Sequence, residues 1–181
     1  VQWQQADAMA LPFGDAEFDA VVCQFGVMFF PDKAKAFSEA RRVLRPGGVF
    51  LFNVWDSLSE NEFAETIASA LAVVFPDDPP QFLGRTPYGY HDPAIIAQDL
   101  ARAGFTQPPQ IVTLAARSRA ASAKEPAIAY CQGTPLRSEI DARDASRLGE
   151  ATDRAAAALA QRFGPAAVDG KIQALVVMVR K

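Results

Sequence analysis

Apolar positions recur with two different periods along the 181 residues. Short, nearly continuous apolar runs predict strands at Asp19–Gln24 (DAVVCQ), Val49–Val54 (VFLFNV), Gln110–Ala116 and Ile172–Arg180. The first of these reads as a strand buried on both faces. Val1–Gln5 reads as the end of a further strand, left at Ala6-Asp7-Ala8. Between these runs the apolar positions step by three and four, as on one face of a helix. A helix follows Asp32, which can cap it; Phe37, Ala40, Val43 and Leu44 share a face, and Arg45-Pro46-Gly47-Gly48 stops it. Ser59-Glu60-Asn61-Glu62 reads as a capping box before a second helix, with Phe63, Ile67, Leu71 and Val74 on its stripe and Pro76 beyond its end. A loop runs from Pro79-Pro80 to Tyr90. Asp92-Pro93 then opens a third helix, with Ile96, Leu100 and Ala103 inward and Gly104 as its left-handed cap. Ser118–Gly170 is helical and polar-faced, broken at Gly133-Thr134-Pro135-Leu136; Leu148, Ala155, Leu159 and Phe163 form its longest stripe.

Strands alternating with helices predict an α/β fold whose crossovers join parallel neighbours. The length fits a single domain over residues 1–181. A net charge of −3 with dispersed Lys and Arg argues against a nucleic-acid partner. Cys23 and Cys131 lack CxxC or His neighbours, so no metal site is expected, and the simple placement is a reduced, cytoplasmic compartment. Apolar runs are strand-sized, which predicts no membrane span, and no signal peptide is evident. A chain that opens on Val1 and strand-like sequence reads as N-terminally truncated or processed.

Three stretches carry chemistry when read in order: Ala6-Asp7-Ala8-Met9-Ala10-Leu11-Pro12-Phe13 with Asp15-Ala16-Glu17-Phe18-Asp19; Val22-Cys23-Gln24-Phe25-Gly26; and Glu39-Ala40-Arg41-Arg42-Val43-Leu44-Arg45-Pro46-Gly47-Gly48. Together they resemble class I S-adenosylmethionine-dependent methyltransferases of the ubiquinone and menaquinone biosynthesis type, closely as far as Trp55. The resemblance implies a partial Rossmann-like methyltransferase sheet, mostly parallel with an antiparallel last strand. It also implies helices on both faces and a helical insertion over 118–170 before that strand. The implied cofactor is S-adenosylmethionine, whose sulfonium methyl passes by in-line displacement to a small-molecule acceptor.

Ligands of open α/β sheets bind at the carboxyl ends of strands, where Asp7, Ala8, Gln24 and Phe25 fall. The resemblance gives Asp7 and Ala8 the reading of the adenine edge, by carboxylate and backbone N–H. It places Gln24 near the methionine end, with Phe25 walling the pocket. The plain alternatives are a turn cap for Asp7 and core packing for Phe25. Asp15, Glu17 and Asp19 read as a turn, with Asp19 bonding local amides. Pro46-Gly47-Gly48 is a helix stop rather than a phosphate loop. Tyr88, Tyr90, His91 and Tyr130 are candidates for an aromatic, hydrophobic acceptor pocket, with His91 the candidate base and packing the alternative. The 118–170 insertion, with the Pro79–Tyr90 loop, is a candidate acceptor lid; its alternative is a further layer helix.

The family's glycine-rich cofactor loop has no counterpart here. None of the eleven glycines is spaced GxG, and no acidic strand end precedes Asp7. The domain therefore reads as lacking its first two strands, inactive alone, with an exposed, aggregation-prone edge on the Asp19–Gln24 strand. The competing reading is an inactive methyltransferase-like binding or interaction module. A short-chain dehydrogenase is excluded, since no Tyr is followed four residues later by Lys.

Overall fold

The strand-sized runs form one four-stranded sheet in a computed structural model that describes residues 1–181. The strands are β1 (Phe18–Gln24), β2 (Leu44–Trp55), β3 (Gln110–Ala120) and β4 (Val168–Arg180), in the order β1-β2-β4-β3. The chain divides into two compact units. The first comprises Val1–Trp55, Tyr90–Leu114 and Ala174–Lys181; the second comprises Asp56–Gly89 and Ala115–Gln173.

In the first unit, helix α1 (Lys33–Val43) carries the chain from β1 to β2, so the two strands pair in parallel, Val21 beside Phe50 and Cys23 beside Phe52. β4 pairs antiparallel with the other edge of β2, Phe50 beside Val179 and Phe52 beside Val177. Only β1–β2 is parallel and the remaining pairs are antiparallel, so the sheet is less parallel than the alternation of elements predicts. Asp32 Oδ1 caps α1 by accepting from the Lys35 amide at 2.9 Å. Helix α4 (Pro93–Arg102) starts as expected, with Asp92 Oδ1 accepting from the Ala94 amide at 2.8 Å. It ends at Gly104, whose φ of +90° a side chain would resist. Phe37 and Ala40 of α1, Ile96 and Leu100 of α4, and Phe50, Phe52, Val54, Val177 and Val179 of the sheet form one buried cluster. Both helices of this unit therefore cover a single sheet face.

Several local expectations change. Residues 1–6 form no strand, because an extended segment becomes one only against a partner, and no strand pairs with it. β1 lies at the edge of the sheet as expected, but it is not buried on both faces, since Val22 remains 66% exposed. Arg45-Pro46-Gly47-Gly48 ends α1 but lies inside β2 as an irregularity. Phe18 faces Leu44 while Ala20 already faces Val49. Gly47 takes φ +80° there, and its amide donates to the Lys181 carbonyl at 3.0 Å.

The second unit is helical: α2 (Glu62–Val74), α3 (Phe82–Arg85), α5 (Lys124–Gly133), α6 (Leu136–Asp144) and α7 (Leu148–Phe163). The break at Gly133-Thr134-Pro135 falls between α5 and α6 as expected. The helical stretch is shorter than 118–170, because β3 continues to Ala120 and β4 begins at Val168. Arg119 and Asp169, both within the stretch expected to be helical, lie on strands, and Arg117 and Arg119 reach the Asp169 carboxylate at 2.6 and 3.0 Å. Stripe residues Ala155 and Leu159 of α7 are fully buried, and α7 packs on α2 and α5. The capping box is absent. Buried Asn61 precedes α2 but spends its carboxamide elsewhere, donating to the Asp56 and Ser57 carbonyls and accepting from the Gln173 amide. No helix is long and apolar enough to cross a membrane.

A β-carbon at Gly170 would lie 2.6 Å from the Phe63 ring, which is itself buried and edge-on to Phe163. Gly170→Ala should therefore destabilise the chain by ~1–3 kcal/mol through overpacking. Denaturant unfolding checks this, and Phe63→Leu in the same chain should return part of the loss.

Candidate functional site

The segment between Asp7 and β1 is a loop with almost no backbone ladder of its own, so its polar groups need other partners. Two side chains of α1 supply them. Glu39 Oε2 accepts from the Leu11 amide at 2.9 Å. Arg42 donates to the Phe13 carbonyl at 2.7 Å, the Leu11 carbonyl at 3.0 Å and Asp15 Oδ1 at 2.9 Å. Glu39 and Arg42 also pair with each other through two contacts of 2.8 Å. Their spacing of three residues puts both on one helix face. The Glu39 carboxyl, only 11% exposed, is held down at a pKa of about 2, chiefly by the Arg42 hydrogen bonds and further by the Leu11 amide. The "LPF.D" and "E..R" stretches are thus bonded to each other.

This clamp anchors the loop just past the turn that carries Asp7 and Ala8. Asp7 Oδ1 accepts from the Met9 amide at 2.8 Å, and its carbonyl from the Ala10 amide at 3.0 Å. Asp7 therefore does shape a local turn. Its second carboxylate oxygen and the Ala8 N–H make no hydrogen bond within the protein, leaving an acceptor and a donor side by side. Asp19 does not bond local amides. Arg45 takes it by both carboxylate oxygens at 2.8 Å, because a long cation one strand away outcompetes the turn. The local amide bond belongs to Glu17, which accepts from the Gly14 N–H at 2.6 Å.

At the end of β1, Gln24 is exposed and Phe25 is half-buried. Phe25 adopts φ +49°, a left-handed conformation that bulky residues rarely take. Its amide donates to Asn53 Oδ1 at 3.0 Å, and its ring stacks on Trp55 with centroids 4.1 Å apart and planes 18° from parallel. Sequence patterning did not single out Glu39, Arg42 or Asn53 individually. The one available signal was the helical Glu-x-x-Arg spacing.

The four acceptor-pocket candidates divide. Tyr88 and Tyr130 meet, their hydroxyls 3.0 Å apart, with Tyr88 buried and Tyr130 half-buried. Burial raises both phenol pKa values, so these groups act as neutral hydrogen-bonding hydroxyls rather than as bases. Tyr90 is not in that pair: its hydroxyl donates to Asp99 Oδ2 at 2.9 Å, and the Lys33 ammonium lies 4.8 Å over its ring. Burial, then Asp99, raises its pKa as well. His91 is half-buried just before the α4 cap. Burial also raises both thiols, Cys131 to about 11, which keeps them unreactive as nucleophiles.

Residues 1–52 match the family described as a methyltransferase domain. Among curated proteins, a demethylmenaquinone methyltransferase of Thermus thermophilus is 54% identical over 48 residues, 26% of this chain and 22% of that protein. A ubiquinone/menaquinone biosynthesis C-methyltransferase of Brucella anthropi is 51% identical over 51 residues, 28% and 19% respectively. An uncharacterized protein of Mycobacterium tuberculosis is 51% identical over 55 residues, 30% and 20%. The matched stretch thus spans about a fifth of the length of these relatives. Among solved structures, a proposed methyltransferase of Bacillus halodurans aligns over 100% of this chain and 78% of its own, with TM-score 0.56 and 16% identity. The YcgJ protein of Bacillus subtilis aligns over 98% and 70%, with TM-score 0.53 and 18% identity. At these identities the likeness is one of fold.

The Glu39–Arg42 clamp makes a pH prediction. Glu39 is a stronger acid folded than unfolded, so its contribution to stability is complete above pH ~4.5 and is lost as the pH falls toward 2. Glu39→Gln should be less stable than the unsubstituted chain at pH 7, with the difference shrinking between pH 5 and pH 2. Urea unfolding at a series of pH values checks this; a pH-independent difference would contradict it.

Proposed function

We propose that this chain is a class I S-adenosylmethionine-dependent methyltransferase domain whose site serves methyl transfer to a small-molecule acceptor. The observation that carries this reading is the Asp7–Ala8 turn. One carboxylate oxygen is committed to the turn, while the other, with the neighbouring N–H, offers the acceptor and donor that an adenine edge requires. S-adenosylmethionine, when held, brings a methyl group that is already activated. The protein's own task is then binding and alignment, which can be worth effective molarities of about 10⁵–10⁸ M. In this reading Gln24 and Phe25 meet the methionine end. The Tyr88–Tyr130 hydroxyl pair would offer a neutral polar contact to an acceptor with an oxygen or nitrogen function. We assign the choice of acceptor to α5, the helix that carries Tyr130.

A second reading is a methyltransferase-like binding module without catalysis; the eleven glycines of these 181 residues include no GxG spacing. A glycine loop lets backbone approach a cofactor closely, and this sequence does not contain one. The 181-residue chain by itself should therefore bind S-adenosylmethionine more weakly than micromolar and transfer no methyl group. Calorimetric titration is the check, and a micromolar constant would overturn the expectation.

In any longer form of the protein that binds S-adenosylmethionine, Asp7→Ala should weaken that binding about tenfold to a hundredfold, the worth of a charged acceptor at ~1.5–3 kcal/mol. Tyr130→Phe in the same protein should leave cofactor affinity unchanged and alter acceptor preference. Unchanged affinity in the first variant would reduce Asp7 to a turn former.

A further inference from the structure

A strand that simply ran out at Gln24 would leave the next residue extended, and β1 does something different. Phe25 turns into the left-handed region at φ +49°, a conformation that persists in a bulky residue only when its surroundings hold it there. Two side chains of the neighbouring strand hold it. In the parallel register Asn53 lies beside Gln24, the last residue of β1. From there the Asn53 carboxamide reaches one residue further and accepts the Phe25 N–H at 3.0 Å. Two residues on, Trp55 lies flat against the Phe25 ring at 4.1 Å. The turn is tight immediately afterwards as well: a β-carbon at Gly26 would sit 2.7 Å from Cys23 Sγ. Asn53 is thus half-buried and neutral, and its acceptor oxygen is committed to a backbone amide at the carboxyl end of a strand.

We propose that Asn53, seconded by Trp55, is a positioning residue. It fixes the left-handed turn at Phe25 and so sets how the Gln24–Gly26 backbone is presented to the methionine end of S-adenosylmethionine. The inference rests on the reading of this strand end as the cofactor site. Asn53 acts through Phe25 and does not itself touch the cofactor. Its essential atom is Oδ1, so aspartate can replace it and alanine cannot.

The test uses the 181-residue chain, its amide hydrogen exchange and its backbone NMR shifts on addition of millimolar S-adenosylhomocysteine. Asn53→Ala should speed exchange of the Phe25 amide at least tenfold while the Phe50 and Phe52 amides stay protected. It should abolish the ligand-induced shifts at Gln24–Gly26 and spare those at Asp7–Ala8. Asn53→Asp should restore both signals. Should Asn53→Ala not fold, Asn53→Ser, whose hydroxyl is too short to reach the amide, is compared with Asn53→Asp in the same way. Unchanged Phe25 exchange, or shifts at 24–26 that survive in the Ala variant, would overturn the positioning role and leave the cofactor reading standing. Shifts at Asp7–Ala8 without any at Gln24–Gly26 in the unsubstituted chain would overturn the cofactor reading of this strand end and the positioning role with it.

Discussion

The Leu11–Asp15 loop has no strand to pair with, yet its amide and carbonyls cannot be left unsatisfied near the sheet without a cost of ~1–3 kcal/mol each. Glu39 and Arg42 remove that cost together: one takes an amide, the other two carbonyls and a carboxylate, and each neutralises the other's charge. Because both project from one face of α1, the rotation of that helix about its axis decides where the loop lies. The rotation is fixed by Phe37, Ala40 and Val43, whose buried side chains pack α1 onto the sheet. The position of the Asp7–Ala8 turn is thereby referred, through two polar side chains, to the apolar core. Stability and site geometry in the first unit are consequences of one arrangement.

Features set by neighbours in sequence were readable from it. Asp32 and Asp92-Pro93 cap their helices, and Gly104 closes α4, because each acts on amides or carbonyls within a few residues. Features decided by distant partners were not. Ser59–Glu62 has the letters of a capping box, but Asn61 is claimed by the Gln173 amide from the far end of the chain. DAVVCQ has the composition of a strand with both faces covered, but it sits at the edge of the sheet order with Val22 exposed. Composition reports how apolar a strand is and says nothing about its place in the sheet.

The candidate site divides in the same way. Asp7, Gln24 and Phe25 stood out because they fall within motifs at expected strand ends, although only β1, which Gln24 closes, is a strand in the fold. The residues that hold them did not, since Glu39 and Asn53 each bond a partner 28 positions away. Asp19 was read as a turn residue because its neighbours are turn formers; its guanidinium partner, Arg45, lies across the strand pair. Likewise the four aromatic and histidine candidates looked alike in sequence, while in the fold Tyr90 is committed to Asp99 and Tyr88 to Tyr130.

The pairing of β2 with β4 has a consequence for the order in which the molecule can be made. Trp55 pairs with Ala174, so 174 − 55 = 119 residues of chain separate the two sides of that ladder. At ribosomal speeds of about 5–20 residues per second, β2 waits roughly 6–24 s for its partner. During that interval the helices of the second unit can begin to assemble, since α5, α6 and α7 follow one another directly in the chain and pack together. The first unit remains half-built, with the inner edge of its central strand, rich in Phe and Val, open to the solvent. The nascent chain is therefore most in need of shelter while these 119 residues emerge, and β4 is the strand that ends that exposure.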